Sequence, residues 1–299
     1  MNLTQLETFL TLSRTMSFRK AGELLNLTQP AVSAQIKNLE DEFKIILVDR
    51  NHPVALTEGG KLFAEYAEGM LKTVKELRDK LSDLEQHPQG HIEIGTTTSI
   101  AMQILPRVLS YFQNSYPLIK SRIHSMTSSQ IISSVENGSV DIGIGYLFEK
   151  PNQIEASTLY YDQFMLIASP EHPISTSEPL HIEDLRNIPL IMLAPETAGR
   201  RFVDHVFKAY NISPLIVMEL SSSEEVKRMV ELNLGAAIVS KLSISEELRR
   251  KSLQIIPIQE LNVVHPVGIM YRSGRYISVA MRQFLDDLKG MSETDFYAT

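Results

Sequence analysis

Four short stretches gather hydroxyl groups where the chain turns into a helix. They are Thr96-Thr97-Thr98-Ser99, Thr127-Ser128-Ser129-Gln130, Glu196-Thr197-Ala198-Gly199-Arg200-Arg201 and Ser221-Ser222-Ser223-Glu224. Each follows an apolar run of strand length and opens a run of helical period. N–H groups at a helix start, with hydroxyls beside them, favour small anions such as carboxylates. Ligands of α/β sheets collect outside the carboxyl ends of the strands. Taken singly, each Ser or Thr is better explained as a helix cap. Four such turns facing one crevice point to a small-molecule site.

A second kind of chemistry is written in Thr28–Glu40. Val32, Ile36, Leu39 and Phe43 follow 4-3-4 spacing and share one helix face. Thr28 is a good N-cap and Pro30 falls in the first turn, where its missing N–H is harmless. The other side carries Gln29, Ser33, Ala34, Lys37 and Asn38. Short polar groups at the N-terminal end of an anchored helix can enter a DNA major groove. An ordinary amphipathic surface helix is the alternative for this stretch alone.

Catalytic constellations are not found. Gly143-Ile144-Gly145 lacks the third glycine of a dinucleotide fingerprint, since Phe148 stands there. There is no phosphate-binding Walker loop and no G-x-S-x-G. Pro88 and Gly90 forbid the helix that would align His87 and His91 on a metal. With no cysteines, disulfides, thiolate catalysis and cysteine–zinc sites are excluded. The expectation is a non-enzyme with no cofactor and no metal, apart from an unidentified small-molecule effector.

The elements that position these residues are legible from periodicity. Leu3, Leu6, Phe9 and Leu10 mark a first helix; Ser17 caps a second with Phe18, Ala21, Leu24 and Leu25 inward. Asn26-Leu27-Thr28 is the short turn of a helix-turn-helix. Apolar runs at 45–48 and 54–56 flank a polar turn and read as a hairpin wing. Arg50 and His52 at its tip, with Arg19 and Lys20 on the second helix, are candidate phosphate contacts. Taken singly, each of these cations is better explained as a solvated surface charge. A long helix over 57–86 carries a 4-3-4-3 stripe of Met70, Val74, Leu77, Leu81 and Leu84, a dimerisation seam. Packing of this stripe on the chain's own globular part is the alternative. His87-Pro88-Gln89-Gly90 reads as a hinge.

Beyond it strands are expected at 91–97, 120–126, 141–147, 164–169, 190–193, 215–220, 236–240 and 267–271. Helices are expected at 100–116, 128–137, 199–210, 223–234, 244–251 and 278–288. This alternation predicts two α/β units with largely parallel sheets.

Charge agrees with a divided chain. The 299 residues carry a net charge of −7, yet residues 1–57 hold six Lys/Arg and six Asp/Glu. DNA affinity must then come from a few placed cations and several subunits rather than bulk attraction. No apolar run approaches the ~20 residues of a membrane span, and the N-terminus lacks a basic segment followed by an apolar one. A cytoplasmic protein with no membrane partner is expected.

The first 60 residues resemble the LysR-type transcriptional regulators. The matching residues are Leu6, Phe9, Ser17, Phe18, Ala21, Leu24, Leu25, Thr28 to Ser33, Gln35, Ile36, Leu39, Glu40, Leu47, Arg50, Leu56, Thr57 and Gly60. The resemblance continues more weakly after the hinge. It implies a two-lobed effector domain like that of periplasmic solute-binding proteins, with a ligand between the lobes. Along the family pattern, Ser99 and Ser128 fall where effector-contacting hydroxyls lie. Thr97, Thr98, Thr197, Arg200, Phe202 and Ser222 fall in or beside other effector loops, with Arg200 suited to an anion. Tyr146, at a strand exit, can line the cleft. The resemblance also implies a homotetramer built as a dimer of dimers; RNA polymerase is a further expected partner. Lys44, Val48, Asn233 and Ser240 depart from the family's Gly, Phe, Gly and Pro.

The expected chain is therefore an α+β multidomain protein. It has a winged helix-turn-helix (1–58), a linker helix (59–88) and an effector domain (89–299), with lobe I at 89–161 and 267–299 and lobe II at 162–266. Gln29, Pro30, Ser33, Ala34 and Lys37 approach bases of double-stranded DNA; Thr28, Arg19, Lys20, Arg50 and His52 hold the backbone. An enzyme on a doubly wound fold with an appended DNA module, or a receptor without DNA function, stays the alternative.

Overall fold

A computed structural model describes residues 1–51, 53–84, 90–147, 153–176, 180–261 and 263–291. The chain divides into two compact units, Met1–Leu84 and Glu85–Thr299. His52, and 87–89 of the expected hinge, lie outside the described residues.

The N-terminal unit opens with α1 (Leu3–Thr15), held at its start by a reciprocal Asn2–Gln5 capping box. Ser17 caps α2 (Phe18–Leu25) and Thr28 caps α3 (Gln29–Phe43), each accepting the backbone N–H three residues on. Leu6, Phe9, Leu12, Ala21, Val32, Ile36 and Leu39 close one core. The Thr8 hydroxyl donates to Gln35 at 2.6 Å and pins α1 to α3. Two expectations shift here. Leu24 is 68% exposed, because Phe18, Ala21 and Gly22 supply the inward face of this short helix. Phe43 lies at the rim, 47% exposed, with its ring edge-on to Phe63.

The wing pairs β1 (Val48–Asp49) with β2 (Ala55–Leu56) antiparallel, in register Val48 to Leu56. It is shorter than the apolar runs suggest, and Ile45 and Ile46 stay exposed. The next helix, α4 (Glu58–Ser82), is capped by Thr57, whose hydroxyl also donates to the Ile46 carbonyl at 2.7 Å. A Cβ at Gly60 would lie 2.0 Å from the Leu47 carbonyl oxygen, so only glycine allows α4 this close to the wing. Phe63, Ala64, Ala67 and Leu71 join the core of this unit, whereas Met70, Leu77, Leu81 and Leu84 are exposed. One helix thus serves its own core with its first half and offers an apolar stripe with its second.

The C-terminal unit is a two-lobed α/β structure. Lobe I carries β3 (Gly90–Thr96), α5 (Thr98–Gln103), α6 (Leu105–Ser115), β4 (Ile119–Ser125), α7 (Ser128–Glu136) and β5 (Ile142–Tyr146). The single helix expected over 100–116 is two helices, since Pro106 in the first turn of α6 cannot continue a helix. Next comes β6 (Ile154–Ala168), a 15-residue strand whose first ten residues were not expected as strand. Lobe II adds β7 (Pro189–Leu193), α8 (Ala198–Ala209), β8 (Leu215–Leu220), α9 (Ser223–Glu231), β9 (Ala237–Ser240), α10 (Ser245–Arg250) and β10 (Gln254–Ile256). The chain returns through β11 (Val264–Arg272) to α11 (Val279–Lys289).

Sheet order is β4-β3-β5-β11-β6-β10, with β9 also on β6. β3 is parallel to β4 and β5, but β11 runs antiparallel to β5 and β6, and β9 and β10 run antiparallel to β6. The largely parallel sheets expected are therefore a mixed sheet. The reason is β6 itself. Ile154–Gln163 pairs with β11 in lobe I, and Phe164–Ala168 pairs with β9 and β10 in lobe II. One long strand and its antiparallel return join the lobes. Lobe I packs Ile94, Ile104, Phe112, Ile144 and Phe284 in its core; lobe II packs Leu166, Leu190, Phe207 and Ile238.

Candidate functional site

The outward face of α3 is built as the spacing predicts. Thr28, Gln29, Pro30, Ala34 and Lys37 are exposed and Ser33 is half-buried. Glu40, one turn beyond Lys37, welds this helix to the wing. Its Oε1 accepts the N–H groups of Leu47 and Val48 at 2.9 and 3.2 Å, and its Oε2 pairs with Arg50 at 2.7 Å. The Arg50 guanidinium also lies 5.9 Å from the centre of the Phe18 ring. Arg19 pairs with Glu23 at 3.7 Å. Two of the expected phosphate cations thus each have a carboxylate neighbour while staying open to solvent. Among the described residues, Lys20 and Lys37 have no such ion pair.

The four hydroxyl-rich turns do converge. They line a cavity of about 260 Å³ between the lobes, floored by Tyr146, Phe164, Ser240 and Leu242. Thr97, Thr98, Ser99, Ser128, Tyr146, Thr197 and Ser222 all line it. Their hydroxyls do different jobs. Thr197 and Ser222 cap α8 and α9, accepting from the N–H groups of Arg200 and Glu225 at 3.2 and 3.3 Å. Thr127 caps α7. Thr97 precedes α5 without a side-chain cap bond. Ser99 of lobe I and Ser223 of lobe II are hydrogen-bonded to each other at 2.7 Å across the cleft. Ser128 is different again: it is 5% exposed, and its hydroxyl has no hydrogen-bond partner among the described residues. An unmet hydroxyl is costly when buried, and this one belongs to a residue of the cavity wall.

Two expected residues are placed elsewhere. Arg200 is buried beside β8. Its Nε donates to Asp204 at 2.8 Å, and one terminal nitrogen donates to the Leu193 carbonyl at 2.8 Å and to Glu219 at 2.5 Å. Burial works against its charge, yet the bonds to Asp204 and Glu219 outweigh it and hold the guanidinium above its ordinary range. Its charge is committed to lobe II rather than to the cavity. Phe202 lies behind the wall, stacked on Phe164 at 5.1 Å and edge-on to His265 at 4.2 Å.

The residue that pattern reading missed is Asp162. It is wholly buried where β6 passes between the lobes. Its Oδ2 accepts the Tyr146 hydroxyl at 2.7 Å and the Ser240 hydroxyl at 2.5 Å; its Oδ1 accepts the N–H groups of Gln163 and Leu242 at 2.8 and 3.3 Å. Burial foremost, and then the Asp162 charge, push the Tyr146 phenol well above its usual pKa, so it stays protonated and donates. The available signal was period two: Tyr160, Asp162, Phe164 and Leu166 alternate inward on one strand face.

Comparison with known proteins matches this anatomy. The family model "Bacterial regulatory helix-turn-helix protein, lysR family" covers residues 3–61, and "LysR substrate binding domain" covers residues 85–292. A probable RuBisCO transcriptional regulator of Phaeodactylum tricornutum is 31% identical over 96% of this chain and 96% of its own length. Full-length CbnR, solved with its target DNA, superposes with a TM-score of 0.66 at 19% identity, covering 97% of this chain and 99% of that one. The CcmR regulatory domain of Synechocystis, solved with 2-PG, superposes with a TM-score of 0.62 at 24% identity, covering 67% of this chain and 96% of that one. The chain belongs to the LysR family of bacterial helix-turn-helix regulators: it is a transcription regulator that binds DNA through its N-terminal unit and carries an effector-binding domain.

Proposed function

We propose that this regulator reads double-stranded operator DNA with the N-terminal half of α3 and is switched by a small anionic metabolite held between its lobes. The buried, unmet Ser128 hydroxyl in the wall of the cavity carries the effector reading. It sits at the first position of α7, where backbone N–H groups lack intrahelical acceptors. The CcmR regulatory domain, solved in complex with 2-PG, supports the class of ligand by analogy. Gln29, Pro30, Ser33, Ala34 and Lys37 approach base edges, and Thr28, Lys20, Arg19 and Arg50 hold phosphates. The relatives are transcription regulators, so the cavity is a sensor and not a catalytic centre. The protein acts in the cytoplasm, beside RNA polymerase at its promoter.

The exposed stripe of Met70, Leu77 and Leu81 on α4 suits pairing with a second copy. Two such pairs, joined through effector domains, make the proposed tetramer. Ligand favours one arrangement of the lobes, and the Ser99–Ser223 bond is a contact that only a closed cleft makes. A ligand binding both arrangements equally shifts nothing.

The test is footprinting of the full-length chain on operator DNA, with a thermal-shift screen of small carboxylates and phosphate esters. Ser99→Ala combined with Ser128→Ala is expected to keep the footprint and lose the effector response. Normal effector affinity in that variant, measured by calorimetry, refutes the site.

A further inference from the structure

The long strand β6 changes partners at one point. Asp162 and Gln163 are its last residues paired with β11, opposite His265 and Val264, and Phe164 is the first paired with β9, opposite Ser240. A strand that runs on alone from one lobe to the next can twist and bend, so its pairing does not by itself set the angle between them. Something at the crossing must.

The buried carboxylate of Asp162 stands at that crossing and collects donors from both sides. Tyr146, at the end of β5 in lobe I, donates to Oδ2; the Ser240 hydroxyl and the Leu242 N–H, from the end of β9 in lobe II, donate to Oδ2 and Oδ1. Tyr146 and Ser240 also hydrogen-bond with each other. The apolar contacts around this junction cross between the lobes as well. Tyr146 packs against both cores, stacked on Phe164 at 5.6 Å, and the Leu242 side chain enters the core of lobe I. Apolar contacts are non-directional and tolerate sliding. Hydrogen bonds to a carboxylate are directional, and a buried carboxylate that loses one regains no water in exchange. The junction is therefore stiff in a way that packing alone is not.

We infer that Asp162 is a positioning residue of the effector domain: its carboxylate clasps lobe I to lobe II and holds the closed arrangement in which Ser99 meets Ser223. Tyr146 and Ser240 also line the cavity, so a ligand that presses on either of them acts on the clasp. That last step rests on the reading of the cavity as the effector site; closure by Asp162 does not.

The chain has no cysteine, so a single introduced thiol reports alone. Ser223 is buried, bonded to Ser99 of the other lobe. In full-length Ser223→Cys, without DNA or ligand, the rate of labelling by a thiol reagent follows the open population when reclosing is fast. Adding Tyr146→Phe keeps the ring and removes the tie from lobe I. Labelling is expected to rise about tenfold, the worth of one hydrogen bond to a charged group. Ser240→Ala should raise it less, because the Leu242 N–H still holds the carboxylate, and it is the second variant should Tyr146→Phe not fold.

Two controls separate cleft opening from general loosening. Val226→Cys places the thiol on the buried face of the same helix, α9. It should label no faster when Tyr146→Phe is added. Ile94→Val, a change inside the core of lobe I, costs stability but should leave labelling at Ser223→Cys unaltered. Equal labelling with and without the Tyr146 hydroxyl, or an equal rise at Val226→Cys, overturns the inference. Neither result touches the effector reading, which stands or falls on calorimetry of the Ser99→Ala and Ser128→Ala double variant.

Discussion

The reading face of α3 and the cavity between the lobes are both made of short polar side chains at helix starts, yet they are opposite solutions. On α3 the groups are exposed, and most are left to be satisfied by water until DNA replaces it. In the cavity they are half-buried or buried and largely committed before any ligand arrives: Ser99 to Ser223, Tyr146 and Ser240 to Asp162, Thr197 and Ser222 to helix caps. The first surface can adapt to a polymer whose base edges vary. The second has a fixed sense of donor and acceptor, which suits discrimination among small molecules of similar size. The cations follow the same division. Arg50, half-exposed and paired with Glu40, can still meet a phosphate at the surface, whereas Arg200 is enclosed by Asp204, Glu219 and the Leu193 carbonyl.

The sharpest way to break this comparison is to place bulk on the adaptable face. Ser33→Arg is expected to weaken the specific footprint by about 100-fold, the upper range for losing good base contacts, while effector binding measured without DNA stays unchanged. An unaltered footprint would remove α3 from the reading role. Next in size is Arg200→Met. If Arg200 is a strut of lobe II, the variant loses about 2 kcal/mol of stability, because buried hydrogen bonds to charged groups and a carbonyl go with it. Its anion affinity should hold. A large loss of affinity with little loss of stability would return Arg200 to the cavity.

A pH experiment probes the rigid side alone. His265 lies at the lobe junction, opposite Asp162 across the strand pair and against the rings of Phe164 and Phe202. Burial lowers its pKa from the ordinary 6.5, and the Asp162 charge only partly opposes this. In the window below 6.5 the unfolded chain binds more protons at this position than the folded one, so stability falls as pH drops through it. His265→Gln is expected to show a shallower fall over that window in urea unfolding. Parallel curves for the two proteins would mean that the junction tolerates a charged imidazole.

How much of this was legible in the chain itself depended on distance along it. The caps at Ser17 and Thr28, the wing and the four hydroxyl turns are local, and spacing alone places them. Arg200 misled because its loop position is local but its fate is not. Glu219 reaches it only through the parallel pairing of β7 and β8, with Leu193 opposite Leu220. Asp162 was hidden for the same reason: its partners lie 16, 78 and 80 residues away, in both lobes. Ser240, a departure from the family's proline, reads only as a doubtful loop until the carboxylate it touches is known. Alternation correctly located β6 near its end, but nothing local says that one strand of 15 residues should serve two lobes.

The smallest effect concerns the end of α3, where the adaptable face meets its rigid support. Lys44, in place of the family's glycine, holds the left-handed cap with φ 53 and ψ 33. A left-handed L-residue is strained by about 1 kcal/mol, and glycine relieves this while increasing the freedom of the unfolded chain. Lys44→Gly is therefore expected to stabilise the N-terminal unit by only about 0.5 kcal/mol, and Lys44→Val to destabilise it by more than that. The footprint should not change, because the base-facing residues lie in the first half of the helix. Denaturant unfolding resolves the sign even where the size is small. A loss of stability in Lys44→Gly would mean that the lysine side chain itself supports the α3–wing junction. Glu40, with its bonds to Leu47, Val48 and Arg50, would then not be enough to hold the reading face at its angle.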